Sequence, residues 1–283
     1  MRSPHMRSLL LVTFACAAWS QTSQPDVVNA TLETRPFSGN LEQQIRAVPP
    51  TWFGYAVKSM RHDSGSCCWN GASQSGCWLE QNGHGTSVRV SSGRPVALEG
   101  SDTIAVLFRV SENSVEKIQA YSFSCPLDAG GLPFVWLTGV PMNASLSFLQ
   151  NMASGNASNR ILDGAIFAIS QHDGSLALDT LIGLAKQGAS PHLREQALFW
   201  LAQRAGDRAA ASIVNAIQND PNGEVKKKAV FALSQLPKDE GVPKLIDVAR
   251  NQRNPEVRKQ AFFWLGQSKD PRALAFIEEV LTK

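Results

Sequence analysis

From residue 143 onward apolar side chains recur at helical spacing, and one block returns four times. Ala165-Ile166-Phe167-Ala168-Ile169-Ser170-Gln171 reappears as Ala197-Leu198-Phe199-Trp200-Leu201-Ala202-Gln203, as Ala229-Val230-Phe231-Ala232-Leu233-Ser234-Gln235 and as Ala261-Phe262-Phe263-Trp264-Leu265-Gly266-Gln267, with the leading alanines 32 residues apart each time. A second apolar segment follows each block: Leu181-Ile182 with Ala185, Ile213-Val214 with Ile217, Leu245-Ile246 with Ala249, and Phe276-Ile277 with Val280. The last set comes one residue early because the turn after Gln267 is shorter. Pro191, Pro221, Gly223, Pro237, Pro243, Pro255 and Pro271 punctuate the run as helix breakers do. The pattern predicts four units, each a helix, a turn and a helix. About five consecutive apolar residues in each first helix exceed what a one-sided amphipathic helix exposes. Each first helix must therefore be covered by its own second helix and by the first helices on either side, which makes a quasi-linear stack. Phe199, Phe231 and Phe263 are expected to fill the spaces between units, and residues 145–152 to cap the N-terminal end.

Upstream the periodicity changes. Residues 52–60, 87–90, 103–110, 115–123 and 133–140 are β-favouring and are separated by Gly, Ser and Asn clusters. The segment 103–110 is nearly continuous in apolar residues, as a central strand is, and Ser111-Glu112-Asn113-Ser114 after it has turn chemistry. A hairpin over 103–123 is predicted, inside a small, mostly β domain spanning 51–142. Residues 21–50, rich in Gln, Ser, Thr and Asn and ending in Pro49-Pro50, read as a flexible leader.

The first 20 residues carry Arg2 and Arg7, an apolar run over 9–19, then Ala18 and Ser20 before a polar stretch. That is the layout of a secretory signal peptide, too short to span a bilayer permanently. Residues 1–20 are therefore expected to direct export to the periplasm or the outside and to be cleaved, leaving no stable membrane insertion. Thr13-Phe14-Ala15 before Cys16 departs from the lipoprotein pattern, so lipid anchoring through Cys16 is not favoured. The chain of 283 residues is 43% hydrophobic and 18% charged, which suits two modest globular domains. A formal charge of +3, with no like-charge run longer than Lys226-Lys227-Lys228, supplies no strong field for nucleic acid.

Asn254-Pro255-Glu256-Val257-Arg258-Lys259-Gln260-Ala261-Phe262-Phe263-Trp264-Leu265-Gly266 resembles the HEAT-repeat signature, and its short period is similar to the bacterial HEAT-like repeats of bilin (phycobilisome, PBS) lyases. The resemblance covers residues 143–283. The segment Ser124-Cys125-Pro126-Leu127-Asp128-Ala129-Gly130-Gly131, with Val135-Trp136-Leu137-Thr138-Gly139-Val140, is similar to one upstream of HEAT repeats in exported bacterial proteins. These likenesses imply an α+β chain: a small, mostly β N-terminal domain, then a C-terminal α-solenoid of about four short HEAT-like helical hairpins over 143–283. They imply no activity.

If the leader is removed, Cys67, Cys68, Cys77 and Cys125 remain, and an even count in an oxidising compartment favours disulfides, with connectivity open. Cys67, Cys68 and Cys77 with His62 and His84 also have ligand types that suit zinc or copper, but adjacent cysteines match no standard metal spacing. A nucleophile pair of Cys125 with His62, His84 or His172 is formally available, yet no catalytic signature surrounds any cysteine. No phosphate loop or dinucleotide fingerprint occurs, and no cofactor is expected. The ladder Gln171, Gln203, Gln235 and Gln267 is expected to bond carbonyls of the following turns and lock adjacent units. Lys186, Asn215, Lys244 and Asp247 are expected on the concave, second-helix face that meets a partner. The leading expectation is thus a non-catalytic exported scaffold that binds another protein. Against it stand a redox or hydrolytic enzyme centred on the Cys-containing β domain with the repeats as docking arm, and a bilin-lyase-like ligand-handling protein.

Overall fold

The structure is a computed structural model that describes residues 24–60, 69–71, 74–80, 102–123, 125–154, 157–204 and 206–282. The expected signal peptide with Cys16, the strand over 87–90, and Cys67, Cys68, His62 and His84 lie outside the described residues.

The N-terminal part is built from β1 (Val27–Val28), β2 (Leu32–Pro36), α1 (Leu41–Gln44), β3 (Thr51–Lys58), β4 (Trp69–Gly71), β5 (Gln74–Trp78), β6 (Thr103–Ser111), β7 (Ser114–Ser122), β8 (Leu127–Asp128) and β9 (Phe134–Thr138). Five strands form a mixed sheet in the order β2-β9-β3-β6-β7, and four form a smaller sheet in the order β1-β8-β5-β4. The hairpin β6–β7 turns through Glu112 (φ 50°) and Asn113 (φ 58°), between paired Ser111 and Ser114. Two successive left-handed residues match the right-handed twist of the flanking strands. β3 alternates Phe53, Tyr55 and Val57 to one face of the large sheet and Trp52 to the other, and it is buried on both. Gly54 in its middle has no room for a side chain: an added Cβ would stand 2.7 Å from Leu107 and 3.0 Å from Trp136.

Residues 24–50 are not a free leader. β2 runs parallel to β9 from Leu32↔Phe134 to Pro36↔Thr138, and β1 runs parallel to β8. The polar composition that suggested disorder belongs to an edge strand, whose Glu33, Thr34 and Arg35 face solvent while its backbone is paired.

The helices follow as α2 (Met142–Ser154), α3 (Asn159–Gln171), α4 (Gly174–Gln187), α5 (Pro191–Arg204), α6 (Asp207–Asn219), α7 (Gly223–Ser234), α8 (Lys238–Asn251), α9 (Pro255–Gln267) and α10 (Pro271–Leu281). α3, α5, α7 and α9 pack side by side in one layer, and α4, α6, α8 and α10 form the second layer. The starts are written locally: the Asn222 and Asn254 side chains each accept two backbone N–H groups of the first turn, and Asp270 accepts that of Arg272. Pro255 and Pro271 occupy first-turn positions where no donor is needed. Pro243 does not mark a joint; it lies inside α8, exposed, near the helix start.

One apolar core runs without interruption from the sheet face of Phe53, Tyr55, Val106 and Phe108, through α2 and α3, to Leu265 and Phe276 of the last hairpin. α3 lies directly on β7, close enough that a Cβ on Gly164 would stand 2.6 Å from the Ile118 carbonyl oxygen. The opposite sheet face, with Trp52, Leu107, Phe134 and Trp136, packs on Cys77, Leu79, Cys125 and Leu127 of the small-sheet layer. The large sheet is thus covered on both sides, and the helical stack grows from one of them.

Candidate interaction surface of the helical stack

The second helices α4 and α6 enclose an open groove of about 540 Å³. Its floor is apolar, with Ile182, Ala185 and Ala216, and its rim carries Lys186, Arg208, Ser212, Asn215 and Asn219. Asn215 and Asn219 are one helical turn apart on α6, so their carboxamides point the same way, and both are exposed, as is Lys186. Arg208 reaches back across the groove to Asp179 of α4. Beneath the rim Asp220 accepts two bonds from Arg194, at 2.7 and 3.0 Å, while Arg194 also donates to the Gly188 carbonyl at 2.9 Å. Burial pushes the Asp220 carboxyl up, but the Arg194 hydrogen bonds and charge outweigh it and hold it below the usual carboxylate range. With those charges matched internally, Lys186 is the cation on the rim without an ion-pair partner among the described residues.

Two of the four partner-face residues expected from the sequence therefore meet. Lys186 and Asn215 share the groove, whereas Lys244 and Asp247 do not line it. On α8, Lys244 donates to the Glu240 carbonyl at 3.3 Å and Asp247 accepts from Asn251 at 2.7 Å. Asn219, four residues on from Asn215, also lines the groove and was not among the residues expected there.

The glutamine ladder bonds differently from expectation. Gln171 and Gln235 donate to the hydroxyl oxygens of Ser170 and Ser234, at 2.9 and 3.0 Å, and those hydroxyls donate to the Phe167 and Phe231 carbonyls. Gln267 is exposed. The turn carbonyls are taken by arginine instead: Arg204 donates to the carbonyls of Ser170, His172 and Gly174 in the preceding hairpin, and Arg272 to that of Lys238. A guanidinium carries five N–H donors against the two of a carboxamide, so Arg204 reaches three carbonyls at once.

Phe199, Phe231 and Phe263 belong to a row of rings along the first helices. Phe167 packs on Trp200, Trp200 on Phe199, Phe199 stacks on Phe231, Phe231 meets Trp264, and Trp264 meets Phe263. The row is half-buried until Phe263, which is 53% exposed.

Cys77 and Cys125 are fully buried in the small-sheet core, and both are engaged. The Cys77 N–H donates to the Pro126 carbonyl at 2.8 Å, which lays β5 beside β8. Cys125 and His172 are not brought together: His172 lies on the opposite side of the large sheet, where its Nε2 is 2.8 Å from Ser145 Oγ and Ser145 Oγ is 2.8 Å from Tyr55 OH. His172 Nδ1 donates to the Ala168 carbonyl at 2.8 Å, so Nε2 is the acceptor of the Ser145 proton and the Tyr55 hydroxyl donates to Ser145. Burial pushes the imidazole down to about 4 and the phenol well above its ordinary range. The separation of serine and imidazole is that of a nucleophile and its base, but all three side chains are fully buried and their hydrogen bonds close on one another.

No helix among the described residues is long and apolar enough to cross a membrane. A family profile described as HEAT repeats matches residues 210–283. A search of curated proteins returned no match. Among solved structures the chain is similar to human deoxyhypusine hydroxylase in complex with glycerol, at 18% identity and a TM-score of 0.36, over 44% of this chain and 43% of that one. The chain thus spans less than half the length of that enzyme. It is also similar to the complex of CpcE and CpcF of phycocyanin lyase from Nostoc sp. PCC7120, at 17% identity and a TM-score of 0.39, over 50% of this chain and 91% of that one. The likeness to HEAT repeats thus covers the helices of residues 210–283.

Proposed function

We propose that this chain is a non-catalytic, exported interaction scaffold that holds an extended segment of another protein in the groove between α4 and α6. The observation that carries the reading is the groove itself: an apolar floor, two carboxamides one turn apart, and Lys186 on the rim. Carboxamides both donate and accept, so Asn215 and Asn219 suit the alternating N–H and C=O groups of an extended peptide backbone. Lys186 suits an acidic side chain of that segment, and Ile182, Ala185 and Ala216 a small apolar one.

A displayed library of random peptides, selected on the full chain, tests this. Acidic peptides are expected to be enriched, and their affinity should fall at least about tenfold, near 1.4 kcal/mol, on Lys186→Glu and again on Asn215→Ala with Asn219→Ala. Lys244→Glu with Asp247→Lys, which lie off the groove, should change little. Binders that ignore all groove substitutions would overturn the reading.

Export and oxidation belong to the same proposal. Burial of Cys77 in β5 and of Cys125 two residues before β8 supports a disulfide-stapled small sheet in an oxidising compartment, with Cys67 and Cys68 completing an even set. Intact mass of protein from the periplasmic fraction, before and after reduction and alkylation, reads this directly. Cysteines that become alkylatable only after reduction, on a chain shortened at its N-terminus, are expected; thiols that label without reduction would return attention to the rival redox reading.

A further inference from the structure

We infer that the crevice where α9 meets the α7–α8 turn takes an arginine side chain presented by another protein. The crevice shares no residue with the α4–α6 groove and does not depend on it. It exists because of one position in the repeat. The residue after each ladder glutamine turns inward: His172 is fully buried against Ser145, Arg204 donates to the Ser170, His172 and Gly174 carbonyls at 3.1, 2.9 and 3.2 Å, and Leu236 is 4% exposed. Ser268 holds that position at the end of α9, 32 residues on from Leu236. Its hydroxyl reaches only the Leu265 carbonyl of its own helix, at 2.8 Å, and a crevice of about 270 Å³ is left between Leu233, Gly241, Val242, Leu245 and Trp264.

The walls repeat a site that the chain fills for itself. Where α5 meets the α3–α4 turn, Phe167 packs on Trp200 with ring centroids 5.0 Å apart and 48° between the planes. Where α9 meets the α7–α8 turn, Phe231 packs on Trp264 at 5.0 Å and 46°. Ser170 and Ser234 match likewise, each hydroxyl donating to a phenylalanine carbonyl at 2.6 Å and accepting from the next glutamine. Between the two junctions the plug changes from Arg204 to Ser268, and the guanidinium is what the second one lacks.

The carbonyls that hold the Arg204 guanidinium have counterparts 64 residues on, in Ser234, Leu236 and Lys238. Arg272 takes that of Lys238 at 2.9 Å, and no side chain among the described residues donates to the other two. Gly241, in the crevice wall, lies beside one of them: an added Cβ would stand 3.5 Å from the Leu236 carbonyl oxygen. Carbonyls at a helix end carry partial negative charge, and a planar guanidinium can donate to two of them at once. Lys238 at the rim is exposed, as is Asp239 beside it, so donor geometry rather than net charge selects the ligand. The exposed carboxamides of Gln235 and Gln267 flank the opening and suit the peptide groups on either side of an incoming arginine. A protein segment, and not free arginine, is therefore the occupant.

The Trp264 indole N–H, which has no acceptor among the described residues, supplies the probe. Its magnetic resonance signal in the full chain, assigned with Trp264→Phe, is followed as a capped Gly-Arg-Gly peptide is added. A saturable shift is expected, with matched lysine and citrulline peptides and free arginine each binding at least about tenfold more weakly. Ser268→Arg and Ser268→Leu, which copy the plugs at 204 and 236, should each abolish the response and leave the circular dichroism spectrum unchanged. Absence of a saturable shift overturns the inference, as does an equal response to the lysine or citrulline peptide. Free arginine that binds as tightly as the peptide overturns the assignment to a protein segment. A folded chain with either substitution at Ser268 that still responds like wild type places the peptide elsewhere and sinks the site.

Discussion

Ser145 Oγ lies 2.8 Å from His172 Nε2, and this one bond ties the helix that leaves the sheet to the first turn of the repeat stack. Around it the main chain does the same. Met60 N–H donates to the Gln171 carbonyl at 3.0 Å and Asp173 N–H to the Lys58 carbonyl at 2.9 Å, so the α3–α4 turn runs along the end of β3 as a short added strand. Tyr55, from the middle of β3, completes the network from below.

Acid should loosen this joint. His172 is held neutral with a folded pKa of about 4 against an ordinary 6.5, so between those values the unfolded chain binds the proton that the folded chain refuses. The stability is complete above pH 6.5 and is lost as pH falls from there toward 4, by about 3 kcal/mol at full effect. Asp220, held below its ordinary range, adds to the loss in the same direction as pH falls through the carboxylate range. Urea unfolding at pH 7 and pH 4 checks this. The His172→Asn chain should show a distinctly shallower dependence on pH, and an equal slope would remove His172 as the cause.

Ser145→Ala should cost about 1–3 kcal/mol, because it leaves the Tyr55 hydroxyl and His172 Nε2 buried and unpaired together. Tyr55→Phe removes only the outer member and should cost less. A double-mutant cycle in denaturant should give a coupling clearly different from zero between Tyr55 and Ser145. Additive costs would mean that the three groups do not act as one network.

Arg194→Ala strands Asp220, whose side chain is 4% exposed, and should destabilise the stack by about 3–5 kcal/mol. Replacing both partners, as Arg194→Met with Asp220→Leu, should recover much of that, because no charge is then left buried. Thermal unfolding of the two variants side by side separates the cost of the stranded carboxylate from that of lost packing.

Gly164→Ala should be as harmful as many larger changes. The new methyl would meet the Ile118 carbonyl at 2.6 Å, and a backbone atom in a paired strand cannot step aside as a side-chain tip can. We expect a loss of about 1–3 kcal/mol and a lowered melting temperature. Gly183→Ala, where nothing lies within 4 Å, should be neutral or slightly stabilising. Equal melting temperatures for the two would argue that α3 does not rest on β7.

The helices are legible in the sequence because their signals are local. The spacing of Ala165, Ala197, Ala229 and Ala261 and the Asn and Asp caps each lie within a few residues of what they control. The β6–β7 hairpin was legible for the same reason, with Glu112 and Asn113 taking up the turn between adjacent strands. The leader was misjudged because composition reports the side chains of 32–36 and not their backbone partners on β9, about a hundred residues away. Of the four residues expected on the second-helix face, Lys186 and Asn215 share one groove, whereas Lys244 and Asp247 fit the same pattern but bond within α8.

What the sequence by itself determined was the repeat, the hairpin and the order of apolar segments, all consequences of backbone hydrogen bonds and side-chain faces spaced a few residues apart. Only the tertiary structure decided that β2 completes the sheet, that Arg204 rather than the glutamines bridges the first two hairpins, and that His172 serves Ser145 and Tyr55 rather than a cysteine. Each of those depends on groups brought together from distant parts of the chain, Tyr55 and Ser145 being 90 residues apart. Such pairings are selected by the burial that the assembled core imposes on polar atoms, and no local pattern records which partner will be within reach.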